Sequence, residues 1–431
     1  MHSSLLWELK CFFGNNISPQ RREDAKKQLM DFSNQIKLKA KELFPYLLEI
    51  RRHLHAHPEL SFKEVETSKF ISAQLTKHNI QHQTGIVGTG IVALIKGKNP
   101  DKKCILLRGD MDALPINEKN EVAYKSKHEN VMHACGHDVH STCALGAAII
   151  LTNLKEHFEG SVKIIFQPGE EVLPGGASLM IKEGVLQNPK VDAAVALHVF
   201  TDLAAGQAGF KSGMYMASTD EIYMDIIGKG GHAAMPSEYN SPILIASEIL
   251  LQLQKEFMGQ KHFDENGKEI PTVLAFGKVT AAGATNVIPE KVHMEGTFRT
   301  MNEKWRKQAH EKIISLTKKI AAEKNATAEV KILVGYPFLV NDEGVTQTAK
   351  NAATNYLEKE NIFDLPLRMT AEDFSFITQQ VPSCFFRLGT GSKKQGITSG
   401  VHSATFNVDE NAIETGAGLL ANIAISLLQT T

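Results

Sequence analysis

The chain has no surplus of charge of one sign, few cysteines and no long apolar run, and each shortage removes a class of function. Lysine plus arginine (47) nearly balance aspartate plus glutamate (48), for a formal net charge of -1. No long block of either sign occurs, so neither a nucleic-acid footprint nor an acidic-tail partner is expected. Five cysteines in 431 residues do not make a disulfide framework. Their odd number, with Cys104, Cys143 and Cys384 among apolar neighbours, suits buried free thiols in a reducing compartment, and the cytoplasm is the expected location. No stretch approaches the roughly 20 apolar residues of a membrane span. Met1 to Gly14 is mildly apolar but carries Glu8 and Lys10, and it lacks the layout of a signal peptide. A poorly ordered extension is expected there, with a lipid-surface role as the alternative.

What remains is the make-up of a globular protein, 42% hydrophobic and 22% charged, and its length calls for two domains. Residues 21–44 are charged and helix-prone, with Leu29, Phe32, Ile36 and Leu43 near a helical period, and Pro45 is expected to interrupt them. A second helix should run to about His57, before Pro58, and a third from Glu64 to His78. Apolar strands at 91–95, 104–107, 162–166 and 191–199 then alternate with helices at 138–154 and 177–183. That pattern predicts an α/β domain with a mostly parallel sheet covered on both faces. From about Ser218 the order becomes β-α-β-β-α-β, the split arrangement of a ferredoxin-like α+β sandwich. After Tyr336-Pro337 the α/β pattern resumes. The expected division is a helical extension over 1–44, a discontinuous metal-binding catalytic domain over 45–216 and 336–431, and an inserted lid or dimerisation domain over 217–335.

The chemistry concentrates in Ala134-Cys135-Gly136-His137-Asp138 and in Gln167-Pro168-Gly169-Glu170-Glu171. An isolated cysteine and histidine one residue apart usually mean a buried thiol and a helix-capping imidazole. Here Gly136 permits a tight turn, and His133, His137 and His140 crowd the start of a helix. As a thiolate Cys135 would suit zinc, cobalt or nickel better than magnesium. Glu170 and Glu171 follow a buried strand, where open α/β sheets place their sites. Adjacent side chains point apart, so one can bind a metal while the other handles a proton. His198 and His402, taken singly, are more often satisfied core histidines; they are preferred as ligands because the set is otherwise short of donors. Asp110 and Asp112 follow another strand. Asp112 reads as the carboxylate that orients a ligand histidine, while Asp110 is left open.

In the insert, Gly228-Lys229-Gly230-Gly231-His232 has the wrong spacing for a phosphate loop and reads as a glycine-rich turn presenting His232. Asn286 and Arg299 would be its polar company, Arg299 pairing with a substrate carboxylate; a surface arginine on an edge strand is an equal reading. His53, His55 and His57 suit positioning or packing rather than ligation.

As a set these motifs resemble the aminoacylase and carboxypeptidase-G type of dinuclear metallopeptidases. Within that superfamily they resemble the amidohydrolase branch of hippurate hydrolases, indole-acetyl-amino-acid hydrolases and N-acetyl-diaminopimelate deacetylases. The matching stretches include RRHLHAHPEL from Arg51, RGDMDALPI from Arg108, MHACGHDVH from Met132, FQPGEE from Phe166, GKGGHAAMP from Gly228, TAEDF from Thr370 and GVHS from Gly400. The resemblance implies two divalent ions, manganese or zinc with cobalt or nickel admissible, held by Cys135, His137, Glu171, His198 and His402. It implies Glu170 as general base toward a metal-activated water. It also implies a homodimer through the insert, with His232 and Asn286 stabilising an oxyanion in the neighbouring subunit. The expected activity is hydrolysis of N-acyl amino acids. The competing readings are a metallo-dipeptidase or carboxypeptidase of the same superfamily, an amidase using Cys135 as nucleophile with His137, and a non-catalytic binding protein on this fold.

Overall fold

A computed structural model describes residues 19–430. Met1 to Gly14 and the side chain of Leu29 lie outside the described residues.

Two compact units form. The first takes in the described part of Met1–Gly213 together with Val340–Pro366 and Phe376–Thr431, and the second takes Met214–Leu339 with Leu367–Ser375. The segment Leu367–Ser375, expected in the catalytic domain, is thus counted with the insert. Its backbone explains why: Arg368 N–H donates to Tyr215 O, and Ala217 N–H donates to Thr370 O.

The first unit runs, in chain order, through α1 (Pro19–Ala56), α2 (Val65–Lys77), β1 (His82–Ile86), β2 (Gly90–Lys96), β3 (Cys104–Asp110), α3 (His137–Leu154), β4 (Ser161–Gln167), α4 (Gly176–Lys182), β5 (Ala193–Ala204) and β6 (Ala208–Phe210). The second contains β7 (Asp220–Ile227), α5 (Pro242–Phe257), β8 (Thr272–Ala281), β9 (Lys291–Thr300), α6 (Glu303–Glu323) and β10 (Thr327–Val334). The chain then returns through α7 (Glu343–Leu357), β11 (Ile362–Asp364), β12 (Ser383–Gly391) and α8 (Ala412–Gln429).

Among the described residues the first unit's sheet has the order β1-β2-β4-β3-β5-β12-β6-β11. Its centre, β4-β3-β5-β12, is parallel throughout, while β1, β2 and β6 join it antiparallel. The sheet is therefore mixed at its margins. The central strands are buried on both faces, as their largely apolar sequences suit, with Arg108, Lys163 and Arg387 buried among them. Helix α8 is apolar and long enough to cross a membrane, but 83% of that stretch is buried, and it packs on α1, α3 and α7 as a core helix.

Pro45 does not interrupt the first helix, which runs unbroken from Pro19 to Ala56. Proline removes one intrahelical bond, but Phe32, Ile36 and Ala40 before it and Leu47, Ile50 and Leu54 after it share one buried core, and that burial outweighs the loss. From Phe32 on, the expected 1–44 extension is thus part of the core helix.

In the second unit β8-β9-β7-β10 pair antiparallel throughout, the strand order of a split β-α-β-β-α-β sandwich. Helices α5 and α6 cover one face through Ile245, Ile249, Leu253, Ala309 and Ile313.

Candidate metal centre

Three neighbouring strands of the sheet, β4, β3 and β5, bring groups to the same place. β3 ends at Asp110, and Asp112 follows; β4 ends at Gln167, followed by Pro168 to Glu171. His198 lies inside β5 rather than at its end, because that strand continues to Ala204 along β12. Its parallel partner β3 pairs only as far as Arg108 opposite Ala196, so His198 still stands just past the edge of β3.

Gly136 adopts φ +82° and caps α3, whose first residue is His137. The left-handed turn that glycine tolerates lets Cys135 and His137 face the same space. His137 Nδ1 lies 3.0 Å from Asp112 Oδ1, and Asp112 Oδ2 accepts from Ser61 Oγ at 2.6 Å and from the Glu171 amide at 3.0 Å. The proton on Nδ1 is thereby fixed, and Nε2 is left as the outward donor atom. That Nε2 lies 3.7 Å from Asp110 Oδ2, 3.9 Å from Glu171 Oε1 and 4.0 Å from Glu170 Oε2. Burial lowers the His137 pKa, yet Asp110 and Asp112 raise it more, to about 10. The space is strongly anionic.

His198 is set the same way. Its Nδ1 lies 2.8 Å from the Val199 carbonyl, which can only accept, so Nε2 carries the lone pair. Nε2 sits 3.4 Å from Cys135 Sγ. Burial and the charge of Arg387 hold His198 well below the ordinary imidazole value, and it stays neutral. His402 adopts φ +61°, its N–H donates to Ala134 O at 2.7 Å, and its Nε2 lies 3.1 Å from Glu171 Oε1. The loop near the C-terminus is thus pinned beside Cys135.

Two overlapping donor groups result, Cys135–His137–His198 and Cys135–Glu171–His402, each with its three ligand atoms within 4.8 Å of one another. His137, Glu170 and Glu171 form a third. His137 Nε2 is buried with no hydrogen-bond partner, and a buried polar atom of that kind calls for an explanation. A thiol, lone-pair imidazoles and carboxylates in an anionic space fit a borderline divalent cation. Burial and the carboxylates of Glu171 and Glu170 push the Cys135 thiol well up. That shift is the reverse of what a free thiolate nucleophile needs.

Three supporting residues, His140, Arg108 and Arg51, were not legible as such in the sequence. His140 bonds Asp110 Oδ1 through Nδ1 at 2.7 Å and accepts the Val199 amide on Nε2 at 2.9 Å, so it holds the His198 strand. It lies three residues after His137 on a helix, a spacing that could have flagged it. Arg108 pairs with Asp110 and, through Nε, with Gln167 at 3.0 Å. Arg51 Nε and His55 Nδ1 converge on Asp138 Oδ2 at 2.9 and 2.7 Å, and His55 Nε2 reaches Glu118 at 3.2 Å. The positioning role expected of the 53–57 histidines therefore falls to His55.

In the second unit, strand pairing of Gly231–His232 with Val287–Ile288 displays His232 on an exposed turn. The Ala234 amide donates to His232 Nδ1 at 3.1 Å, so the neutral ring carries its proton on Nε2. Ala233 N–H donates to Asn286 O at 3.0 Å. Arg299 is half-buried on β9 with Nη1 donating to Met369 O at 3.2 Å, and burial lowers its pKa.

A model of peptidase family M20/M25/M40 matches residues 106–426. An N-acetyl-L-cysteine deacetylase of Bacillus subtilis is 36% identical over 402 residues, covering 93% of this chain and 92% of the relative. An IAA-amino acid hydrolase of Arabidopsis thaliana is 36% identical over 395 residues, covering 90% and 87%. A thermostable carboxypeptidase of Saccharolobus solfataricus is 35% identical over 402 residues, covering 92% and 99%. Among solved structures, a Bacillus subtilis dinuclear metal binding peptidase from family M20 superposes with a TM-score of 0.77 at 33% identity, covering 91% of this chain and 100% of that one.

Proposed function

The chain belongs to peptidase family M20/M25/M40, and from that premise we propose a metal-dependent amidohydrolase that splits an N-acyl amino acid and water into a carboxylic acid and a free amino acid. The observation that carries this reading is the convergence of Cys135, His137, Glu171, His198 and His402 beside Glu170. Those five would hold two divalent ions, manganese or zinc, with cobalt or nickel admissible. When bound, the ions supply Lewis-acid polarisation of the amide carbonyl and acidify water.

The chain's own residues do the rest. Asp112 and the Val199 carbonyl set the tautomers of His137 and His198, so that both present Nε2. Glu170 takes the proton of the attacking water and returns it to the departing amine. His232, carrying its proton on Nε2, is the proposed oxyanion donor, with Asn286 beside it; a donor of this kind is typically worth a factor of about 100 or more in rate. Arg299 offers a bidentate contact to the substrate carboxylate. A homodimer through the insert is supported by two features. Strand β8 is an edge strand, paired among the described residues only with β9, and α5 exposes Leu244 and Leu251. The buried free cysteines Cys104, Cys143 and Cys384 suit a reducing compartment such as the cytoplasm.

A hydrolysis panel tests the reading: N-acyl amino acids against dipeptides, with manganese, zinc, cobalt and nickel in turn. A preference for dipeptides would favour the carboxypeptidase reading that the Saccharolobus relative suggests. Glu170→Gln should bind substrate normally while kcat falls roughly 100- to 10,000-fold. Inactivity of the metal-loaded wild type on every member would leave a binding protein. Mixing Glu170→Gln with His232→Ala reads whether His232 acts from a second copy, since only then does the mixture regain activity.

A further inference from the structure

Glu64 is fully buried, yet it belongs to none of the donor groups and does not cap its own helix. It precedes α2 at the N-cap position but makes no side-chain cap bond. Its carboxylate is turned instead toward three donors from elsewhere. Oε1 accepts the Phe62 and Gly169 amides, each at 2.8 Å, and Oε2 accepts Thr89 Oγ1 at 2.8 Å. Burial raises its pKa, with the Asp112 charge adding to the rise, against the pull of Thr89 and the Gly169 amide. Every partner donates, which is the arrangement a carboxylate satisfies and an apolar residue cannot.

Gly169 immediately precedes Glu170. Its φ is +59°, and a Cβ there would lie 2.4 to 2.6 Å from ring carbons of Phe62. Its carbonyl accepts the Gly176 amide at 2.9 Å. On the other side of Glu170, the Glu171 amide is held by Asp112 Oδ2 at 3.0 Å, and that oxygen is also bound by Ser61. The two amides that flank Glu170 are therefore each held by a buried carboxylate. The short segment Glu59–Glu64 serves both: Glu64 reaches Gly169, Ser61 reaches Asp112, and Glu59 O accepts the Ala113 amide.

We propose that Glu64 is a positioning residue for the reaction: through the Gly169 amide it fixes the direction in which Glu170 and Glu171 leave their loop. The inference rests on the roles given above to those two acids. A displacement of about 1 Å in a reacting group can cost around 100-fold in rate, and a tether at the Pro168–Gly169 peptide, one peptide before the one that joins Gly169 to Glu170, controls displacements of that size.

The test compares Glu64→Ala, Glu64→Gln and Thr89→Ala in the full-length protein. Glu64→Ala should lower kcat about 10- to 100-fold with KM changed less than about threefold. Glu64→Gln should recover most of the loss, because its amide oxygen accepts both N–H groups while its NH2 faces Thr89. Thr89→Ala, which leaves the Gly169 bond intact, should stay close to wild type. Amide exchange of the peptide spanning residues 167–172, measured by mass spectrometry in metal-free and metal-loaded protein, should quicken about tenfold in Glu64→Ala and hardly at all in Thr89→Ala. If Glu64→Ala does not fold, Glu64→Asp takes its place, since the shorter side chain keeps the charge but draws back from Gly169. An unchanged kcat, unchanged exchange, or equal losses in all variants tracking their melting temperatures would overturn the proposal. A wild type inactive on all N-acyl amino acids would sink the proposed activity instead, and the exchange result would stand apart from it.

Discussion

Gly136→Ala tests the turn on which the donor cluster depends. The position has φ +82°, and an alanine Cβ would lie 2.6 Å from Val199 Cγ2 and 3.1 Å from Cγ1. An L-residue in the left-handed region costs about 1–2 kcal/mol, and overpacking of a tight core costs about 1–3 kcal/mol. The stiffer unfolded chain returns about 0.4–1 kcal/mol. The net is a loss of about 1–5 kcal/mol. Part of it can be relieved by moving Cys135 or His137, and each 1.4 kcal/mol transferred to binding weakens metal affinity about tenfold. Urea unfolding of the metal-free protein reads the first quantity, and competition against a chromophoric chelator reads the second. Val199→Ala removes the clash but not the backbone strain. The double variant should therefore be more stable than the two single losses add up to, by about 1–3 kcal/mol. A stability within about 0.5 kcal/mol of wild type, with unaltered metal affinity, would refute the account of the turn.

Complete chelation should abolish hydrolysis, and added divalent ions should restore it; activity surviving metal removal would return Cys135 to candidacy as a nucleophile. In the insert, Asp220 is buried against Arg306 Nη2 at 2.6 Å and His310 Nε2 at 2.7 Å. Burial alone would raise its pKa, but the His310 and Arg306 bonds lower it. Its contribution is therefore complete above the unfolded value of about 3.9 and fades as pH falls through the lower folded value. Asp220→Asn, which leaves Arg306 with Glu303 as its remaining carboxylate partner, should cost about 1–3 kcal/mol near neutral pH and flatten that acid dependence, as read by unfolding across pH. The proposed homodimer predicts that the protein sediments as a dimer and that Leu251→Glu on the exposed face of α5 shifts it toward monomer; a monomeric wild type, or a dimer the substitution leaves unchanged, would refute that contact.

Much of the site could be read from the chain because its parts are local. Cys135, Gly136 and His137 are contiguous, as are Gly169, Glu170 and Glu171, and both groups adjoin apolar runs of unmistakable period. The insert's β-α-β-β-α-β order was legible for the same reason. Pro45 misled because a local rule was applied where long-range burial decides. The end of β5 misled because its continuation past Val199 depends on pairing with β12, nearly 190 residues later. The roles of His140, Glu64 and Arg51 were not legible because each one's partner lies far along the chain. His140 is explained by Asp110, Glu64 by Gly169 and Arg51 by Asp138.

The sequence alone determined which atoms were on offer: one thiol, a handful of imidazoles, paired acids after a strand, and glycines where the backbone must turn the wrong way for other residues. It also determined the class of fold, since hydrophobic period is a local property. Only the tertiary structure decided that Cys135 meets His198 and that Glu171 meets His402. The tautomers of the two buried imidazoles were likewise decided by which acceptor stands behind each ring. Bonds within a segment leave a trace in residue spacing, whereas a contact across hundreds of residues exists only once burial of the core has brought the strand ends together.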